Sequence, residues 1–167
     1  VAAAVPVPHG WSAAFAALRL PPSAGVLVVP VPMSTFTEPL RWQADTGEPR
    51  SLVGGYFMGP GPHGRGYIDG KGTPPAGVYL NAMWTFSQAS PPQAAGGKGP
   101  NARPNATGYL PVKSVTSTKM REQIRAWKVS AVVAVATPGS RLGLYLTAIL
   151  GSPAVVAGDV TAWRIPR

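Results

Sequence analysis

Residues 26–57, with the sequence VLVVPVPMSTFTEPLRWQADTGEPRSLVGGYF, form the stretch that decides the fold. Val26 to Val31 is an unbroken apolar run rich in valine, which is typical of a strand buried on both faces. A proline-bounded turn follows, and Pro39 to Thr46 then has the pattern of a short amphipathic helix with Gly47 as its C-cap. Leu52 to Met58 is a second strand with a glycine-rich interior. The stretch therefore predicts a strand, a short helix and a second strand in that order.

Helix and strand patterns alternate in the rest of the chain. The predicted helices are Trp11 to Leu20, Thr118 to Lys128 and Leu142 to Leu150, and the predicted strands are Val129 to Ala136 and Val160 to Ile165. Val78 to Phe86 fits either a strand or a buried helical turn. The strand–helix–strand tail favours a parallel sheet. We therefore expect an α/β fold, a single three-layer domain over residues 1–167 whose mainly parallel sheet is flanked by helices.

Two stretches rich in glycine and proline interrupt these patterns. Residues 59–73, GPGPHGRGYIDGKGT, are predicted to be a long surface loop without regular structure. Residues 90–107, SPPQAAGGKGPNARPNAT, are predicted to be a low-complexity connector. A chain of 167 residues without cysteine is long enough to bury a core, and it can contain neither disulfides nor thiolate metal sites.

The charge of the chain favours anionic partners. Fifteen Lys and Arg residues against six Asp and Glu residues give a formal net charge of +9. The basic residues are scattered, and the densest group, Lys119, Arg121, Arg125 and Lys128, is interpreted as the solvated face of one predicted helix. Basic residues are not interleaved with aromatic ones as single-strand binding requires, so no nucleic-acid partner is expected. No apolar run reaches the length of a membrane helix, so the chain as given is expected to be soluble.

Familiar catalytic patterns are weak in this sequence. Asp45-Thr46-Gly47 spells the aspartic protease triplet, but the residues before it look helical, so Asp45 is interpreted as a capping or salt-bridging residue. His9 and His63 have no partners at metal-ligand spacing, and the chain has no nucleophile elbow. We therefore predict no catalytic residue, no metal and no cofactor.

Six motifs in a fixed order give the chain a resemblance to a known family. They are VLVVPVP, LRWQADTG, GGYF, VSAVVAV, LTAILGSP and GDVTAWRIP, and they extend from residue 26 to residue 166. The chain resembles the C-terminal extracytoplasmic soluble domain of GT-C-like polytopic membrane glycosyltransferases of GC-rich, actinobacterial-type bacteria. The resemblance implies that the chain is tethered to the cell membrane through transmembrane segments outside this sequence, and that the reaction chemistry lies there.

The resemblance and the residues together predict a noncatalytic accessory domain. Its partners would be the transmembrane region of the parent protein, and glycan or polyprenyl-phosphate lipid headgroups. Substrate-binding candidates are the residues whose aromatic faces and planar polar groups suit sugars: Arg41, Trp42, Gln43, Asp45 and Tyr56. A structural role for Trp42 in the core is the alternative at that position. The alternative for the whole chain is a stand-alone exported enzyme acting on cell-envelope glycans, with Asp45 and either Glu38 or Glu48 as its carboxylates.

Overall fold

A five-stranded sheet with helices on both faces organises the chain in the computed structural model, which describes residues 5–33, 35–54, 57–60, 66–69, 75–88 and 115–166. The elements in chain order are α1 (Trp11–Leu18), β1 (Gly25–Val29), α2 (Glu38–Thr46), β2 (Ser51–Leu52), β3 (Phe57–Pro60), β4 (Gly66–Asp69), α3 (Pro75–Gln88), α4 (Ser117–Ala126), β5 (Ala131–Ala134), α5 (Arg141–Leu150), β6 (Val155–Ala157) and β7 (Val160–Arg164).

The sheet is mixed and mostly parallel, which confirms the predicted α/β class. Its strand order is β2-β1-β5-β7-β6. β1 pairs in parallel with β2 and with β5, whereas β7 pairs antiparallel with both β5 and β6. Four of the five strands therefore point in one direction. Strands β1, β5 and β7, which lie within the three predicted apolar strands Val26 to Val31, Val129 to Ala136 and Val160 to Ile165 or overlap them, are side by side in the sheet.

The tail pattern favoured a parallel sheet, and β7 is the strand that departs from this, because it pairs antiparallel with β5. After α5 the chain enters the edge strand β6, turns at Gly158 and Asp159, and returns as β7 between β5 and β6. A two-residue turn can only join antiparallel strands, so β7 runs opposite to β5. The sequence signal for β6 was too short to separate from the loop before β7.

Hydrophobic side chains pack on both faces of the sheet, because successive residues of a strand point to opposite faces. Leu27 and Val29 of β1 belong to a cluster with buried residues of α3, α4 and α5. Val26 and Val28 belong to a second cluster that includes Trp42 of α2 and the apolar stripe of α1. Strand β1 is therefore buried on both sides, as its sequence predicted.

The glycine-rich stretch after β2 contains more regular structure than its sequence predicted. The stretch at residues 59–73 was expected to lack regular structure, but β3 and β4 pair antiparallel across it, and the single strand expected at Leu52 to Met58 is divided between β2 and β3. Strand pairing uses backbone groups, so a glycine-rich composition does not prevent it. Val78 to Phe86 lies inside helix α3. The predicted connector at residues 90–107 lies outside the described residues.

None of the helices in the described part of the chain is both long and apolar enough to cross a bilayer.

Candidate functional site

The two halves of the sheet diverge between β1 and β5. The chain leaves β1 through α2 toward β2 on one side, and it leaves β5 through α5 toward β6 on the other. Trp42 of α2 packs on one face of the sheet, whereas Leu142 and Leu146 of α5 pack on the opposite face. Open α/β sheets bind ligands at such a topological switch point, outside the carboxyl ends of the strands.

A cavity of about 470 Å³ lies at this position, beyond the carboxyl end of β5. We call it the switch-point cavity. It is lined by Val5, Pro6, Pro8, Trp42, Trp84, Ser87, Gln88, Val135, Ala136, Thr137, Ser140 and Asp159.

Two tryptophans line the switch-point cavity, one from each face of the sheet. Trp42 of α2 is only 2% exposed and packs edge-on against Trp11, with ring centroids 5.4 Å apart. Trp84 of α3 packs edge-on against Phe36, with centroids 5.9 Å apart. Each indole therefore packs against a second aromatic ring.

The floor of the cavity is held by side chains that bind the backbone beyond β5. The Val135 carbonyl accepts a hydrogen bond of 3.0 Å from Trp84 Nε1. The Ala136 carbonyl accepts one of 2.7 Å from the buried hydroxyl of Thr161 in β7. Since strand pairing ends at Ala134, these bonds satisfy carbonyls that would otherwise lack partners.

A glycine allows α5 to begin directly against this floor. A Cβ placed on Gly143 would lie 2.2 Å from the Thr137 carbonyl oxygen, far inside normal contact distance. The sequence TPGSRLG therefore folds as a tight strand-to-helix turn. Its helix N-terminus lies beside the switch-point cavity, because Thr137 and Ser140 both line it.

The N-terminus of α5 is already occupied by protein groups. Ser140 Oγ accepts from the Gly143 N–H at 3.0 Å, and Ser87 Oγ accepts from the Leu142 N–H at 3.3 Å. These are two of the N–H groups that helix N-termini usually offer to anions. The cavity has no lysine or arginine among its described lining residues, and Asp159 gives it a negative charge.

Within the described residues, three buried side-chain atoms have no hydrogen-bond partner: Trp42 Nε1, Glu38 Oε2 and the Tyr145 hydroxyl. A buried donor without a partner costs about 1–3 kcal/mol. The Tyr145 hydroxyl belongs to the α3/α5 interface, where burial, and secondarily the neighbouring Tyr79, raises the pKa of Tyr145 to about 12. Trp42 Nε1 differs from it, because Trp42 lines the switch-point cavity.

The structure brings one of the predicted binding residues to this cavity. Trp42 lines it, whereas Arg41 and Asp45 are exposed on α2 and do not. Gln43 has a structural role, since its Nε2 donates to the carbonyls of Arg50 at 2.6 Å and Glu48 at 3.2 Å. Tyr56 lies outside the described residues. Sugar binding by these residues stays a prediction, and what the structure establishes for Trp42 is its place in the apolar cluster at the border of the cavity.

Sequence reasoning did not select Trp84, Gln88, Ser140 or Asp159. Trp84 and Gln88 lie in or next to the segment that periodicity left undecided between strand and helix. Asp159 lies in the GDVT motif, and it reaches the cavity because the turn after β6 packs against the N-terminal segment: the Asp159 N–H donates to the His9 carbonyl at 2.9 Å. Only Ser140 had a local signal, as a serine just before an apolar helix.

No group of three His, Cys, Asp or Glu residues among the described residues could hold a metal ion. Glu48 is engaged with Arg50 in an ion pair of 2.6 Å.

Searches of protein-family models, of curated proteins and of solved structures found no match to this chain.

Proposed function

We propose that the chain is a noncatalytic extracytoplasmic accessory domain of a membrane glycosyltransferase that uses lipid-linked sugars, and that it helps to shape the acceptor or lipid-phosphate site. The observation that supports this most is the switch-point cavity. It combines two indole walls with hydroxyl, amide and carboxylate groups, which is the composition of a small-molecule binding site. Asp159 is the only carboxylate among its described lining residues, so the cavity does not offer the paired acids of a glycoside hydrolase.

The placement of the other acids favours this role over a stand-alone exported enzyme. Asp45 and Glu38 lie seven residues apart on α2, which is about 10 Å along a helix axis. Glu38 Oε2 is buried whereas Asp45 is exposed, which favours a role other than that of two acids acting together on one substrate. The carboxylate of Glu48 is already bound to Arg50.

The distribution of charge supports a membrane-proximal setting. Arg125 and Lys128 are exposed beside Val129, just before the amino end of β5, and therefore at the end of the sheet opposite the cavity. With a net charge of +9, the chain would be attracted to anionic headgroups. Contact through that end would leave the switch-point cavity open toward the glycan.

The proposal is tested by comparing the purified chain with the full-length membrane protein that contains it. We expect the purified chain to show no transfer or hydrolysis of lipid-linked sugars or envelope glycans. In membranes containing the full-length protein, Ala136→Leu, which places a larger side chain in the cavity, should lower sugar transfer. Ala17→Leu, the same change at an exposed position on α1, should not. Turnover by the purified chain that is lost in Asp45→Asn would overturn the proposal.

A further inference from the structure

We propose that the switch-point cavity is a binding site for a neutral sugar ring, so that it holds the acceptor glycan and not the phosphate of a lipid carrier. This inference rests on the proposed function and narrows its ligand to one chemical class.

The shape and walls of the cavity suit a sugar ring. A volume of about 470 Å³ lies within the usual range for small-ligand sites, roughly 300–1,000 Å³. Trp84, which is half-buried, supplies aromatic surface on which the C–H groups of a sugar ring can pack, whereas Trp42, only 2% exposed, borders the cavity from the core. Asp159 is exposed and can accept hydrogen bonds from ring hydroxyls.

The electrostatics of the cavity disfavour a phosphate. The chain carries +9 overall, yet no lysine or arginine is among the described residues that line this cavity. The N–H groups of Leu142 and Gly143 at the start of α5 are bound by serine hydroxyls and cannot serve an anion. Among the described residues that line the cavity, a phosphate would meet the carboxylate of Asp159 and no compensating cation.

Trp42 distinguishes a sugar from a cation as the ligand. Two indoles and a carboxylate could also surround a methylated ammonium group. However, the buried Nε1 of Trp42 is a donor without a partner, and the rest of the Trp42 side chain lies in the apolar cluster with Trp11. An ammonium group offers no acceptor, whereas a sugar hydroxyl or ring oxygen does. Trp42 borders the cavity, but its Nε1 is inaccessible to solvent when the cavity is empty, so pairing with a ligand acceptor requires the indole to shift on binding.

The test measures equilibrium binding of this chain to three classes of probe by calorimetry. The probes are the methyl glycosides of mannose, galactose and arabinose, inorganic phosphate, and choline. We expect saturable binding of at least one methyl glycoside and none of phosphate or choline. Trp42→Phe keeps an aromatic wall but removes the donor, and it should weaken the binding at least about tenfold, as expected for the loss of about 1.4 kcal/mol.

A pair of surface variants protects the test against loss of folding. Asp159→Asn, at an exposed cavity residue, should also weaken glycoside binding, whereas Glu122→Gln, the same type of change at an exposed residue of α4 that does not line the cavity, should not. Binding of phosphate or choline without a glycoside, binding of no probe, or unchanged glycoside affinity in both Trp42→Phe and Asp159→Asn would overturn the inference. Phosphate binding would leave the accessory role intact, and only turnover by the chain itself would remove that role.

Discussion

Asn81 connects helix α3 to the backbone beyond β1, and its removal should destabilise the fold strongly. Its side-chain amide pairs with both backbone groups of Val31: Oδ1 accepts from the Val31 N–H, and Nδ2 donates to the Val31 carbonyl at 2.9 Å. Asn81 is 2% exposed and Val31 is 1% exposed, so water cannot replace these bonds. The amide occupies the place that a neighbouring strand would take at this point of the sheet.

The size of the effect follows from the two backbone groups that Asn81→Ala leaves without partners. Each unsatisfied buried group costs about 1–3 kcal/mol. The sum is about 2–6 kcal/mol, and we expect a loss of about 4 kcal/mol in the free energy of unfolding. That is a large fraction of the roughly 5–15 kcal/mol by which folded domains are usually stable.

Urea unfolding followed by tryptophan fluorescence measures this loss through the shift of the midpoint at constant m. Phe86→Ala on the same helix is the matched control, because Phe86 is 56% exposed and its truncation should change stability by less than about 0.5 kcal/mol. An Asn81→Ala variant as stable as the Phe86→Ala control would refute the reasoning.

Asn81→Asp adds a test with a defined sign. The new carboxyl can still accept from the Val31 N–H, but when ionised it faces the Val31 carbonyl without a proton to donate. Burial raises the pKa of such a carboxyl above its unfolded value. The stability lost in this variant should therefore be partly recovered as the pH falls through that raised pKa. A deficit that stays constant from neutral pH to pH 4 would contradict the assigned bonds.

Three further predictions concern other parts of the fold. Gly143→Ala should lower the free energy of unfolding by about 2 kcal/mol, because the clash of the new Cβ with the preceding turn exceeds the helix propensity gain of about 1 kcal/mol. Gly139→Ala is the control, and it should change the free energy of unfolding little because Gly139 has open space around it. Burial raises the pKa of Tyr145 to about 12, so the free energy of unfolding should fall as the pH rises from 10 to 12. The urea midpoint of Tyr145→Phe should fall less over this pH range than that of the unchanged chain. Glu48→Gln should lower stability by about 1–3 kcal/mol in urea unfolding, because it leaves Arg50, only 14% exposed, without its carboxylate partner.

The sequence predicted most of the fold because its signals were local. The valine-rich β1 and the apolar stripes of α1, α4 and α5 repeat at strand and helix periods, so their element types followed from periodicity alone. The direction of β7 could not be predicted from periodicity, because it depends on a two-residue turn after a three-residue edge strand. The pairing of β3 with β4 escaped prediction for a similar reason, since backbone pairing leaves no pattern in glycine-rich sequence.

The candidate site was less predictable than the fold. Trp42 was selected because aromatic residues beside polar ones suit sugars, and it lines the cavity. The remaining lining residues come from the N-terminal segment, the end of α3, the loop before α5 and the turn before β7, which are distant in sequence. Their meeting depends on the strand order, and no spacing within the chain records that order.

The most direct measurement of the central claim is the NMR signal of the Trp42 indole N–H during titration with the methyl glycoside that binds. The chain has five tryptophans, and Trp42→Phe assigns the signal by its loss. The account predicts that the Trp42 indole signal moves with saturation, while that of Trp163, whose Nε1 already donates to the Gly151 carbonyl at 3.0 Å, stays in place. A saturating glycoside that leaves the Trp42 signal unmoved would contradict the account.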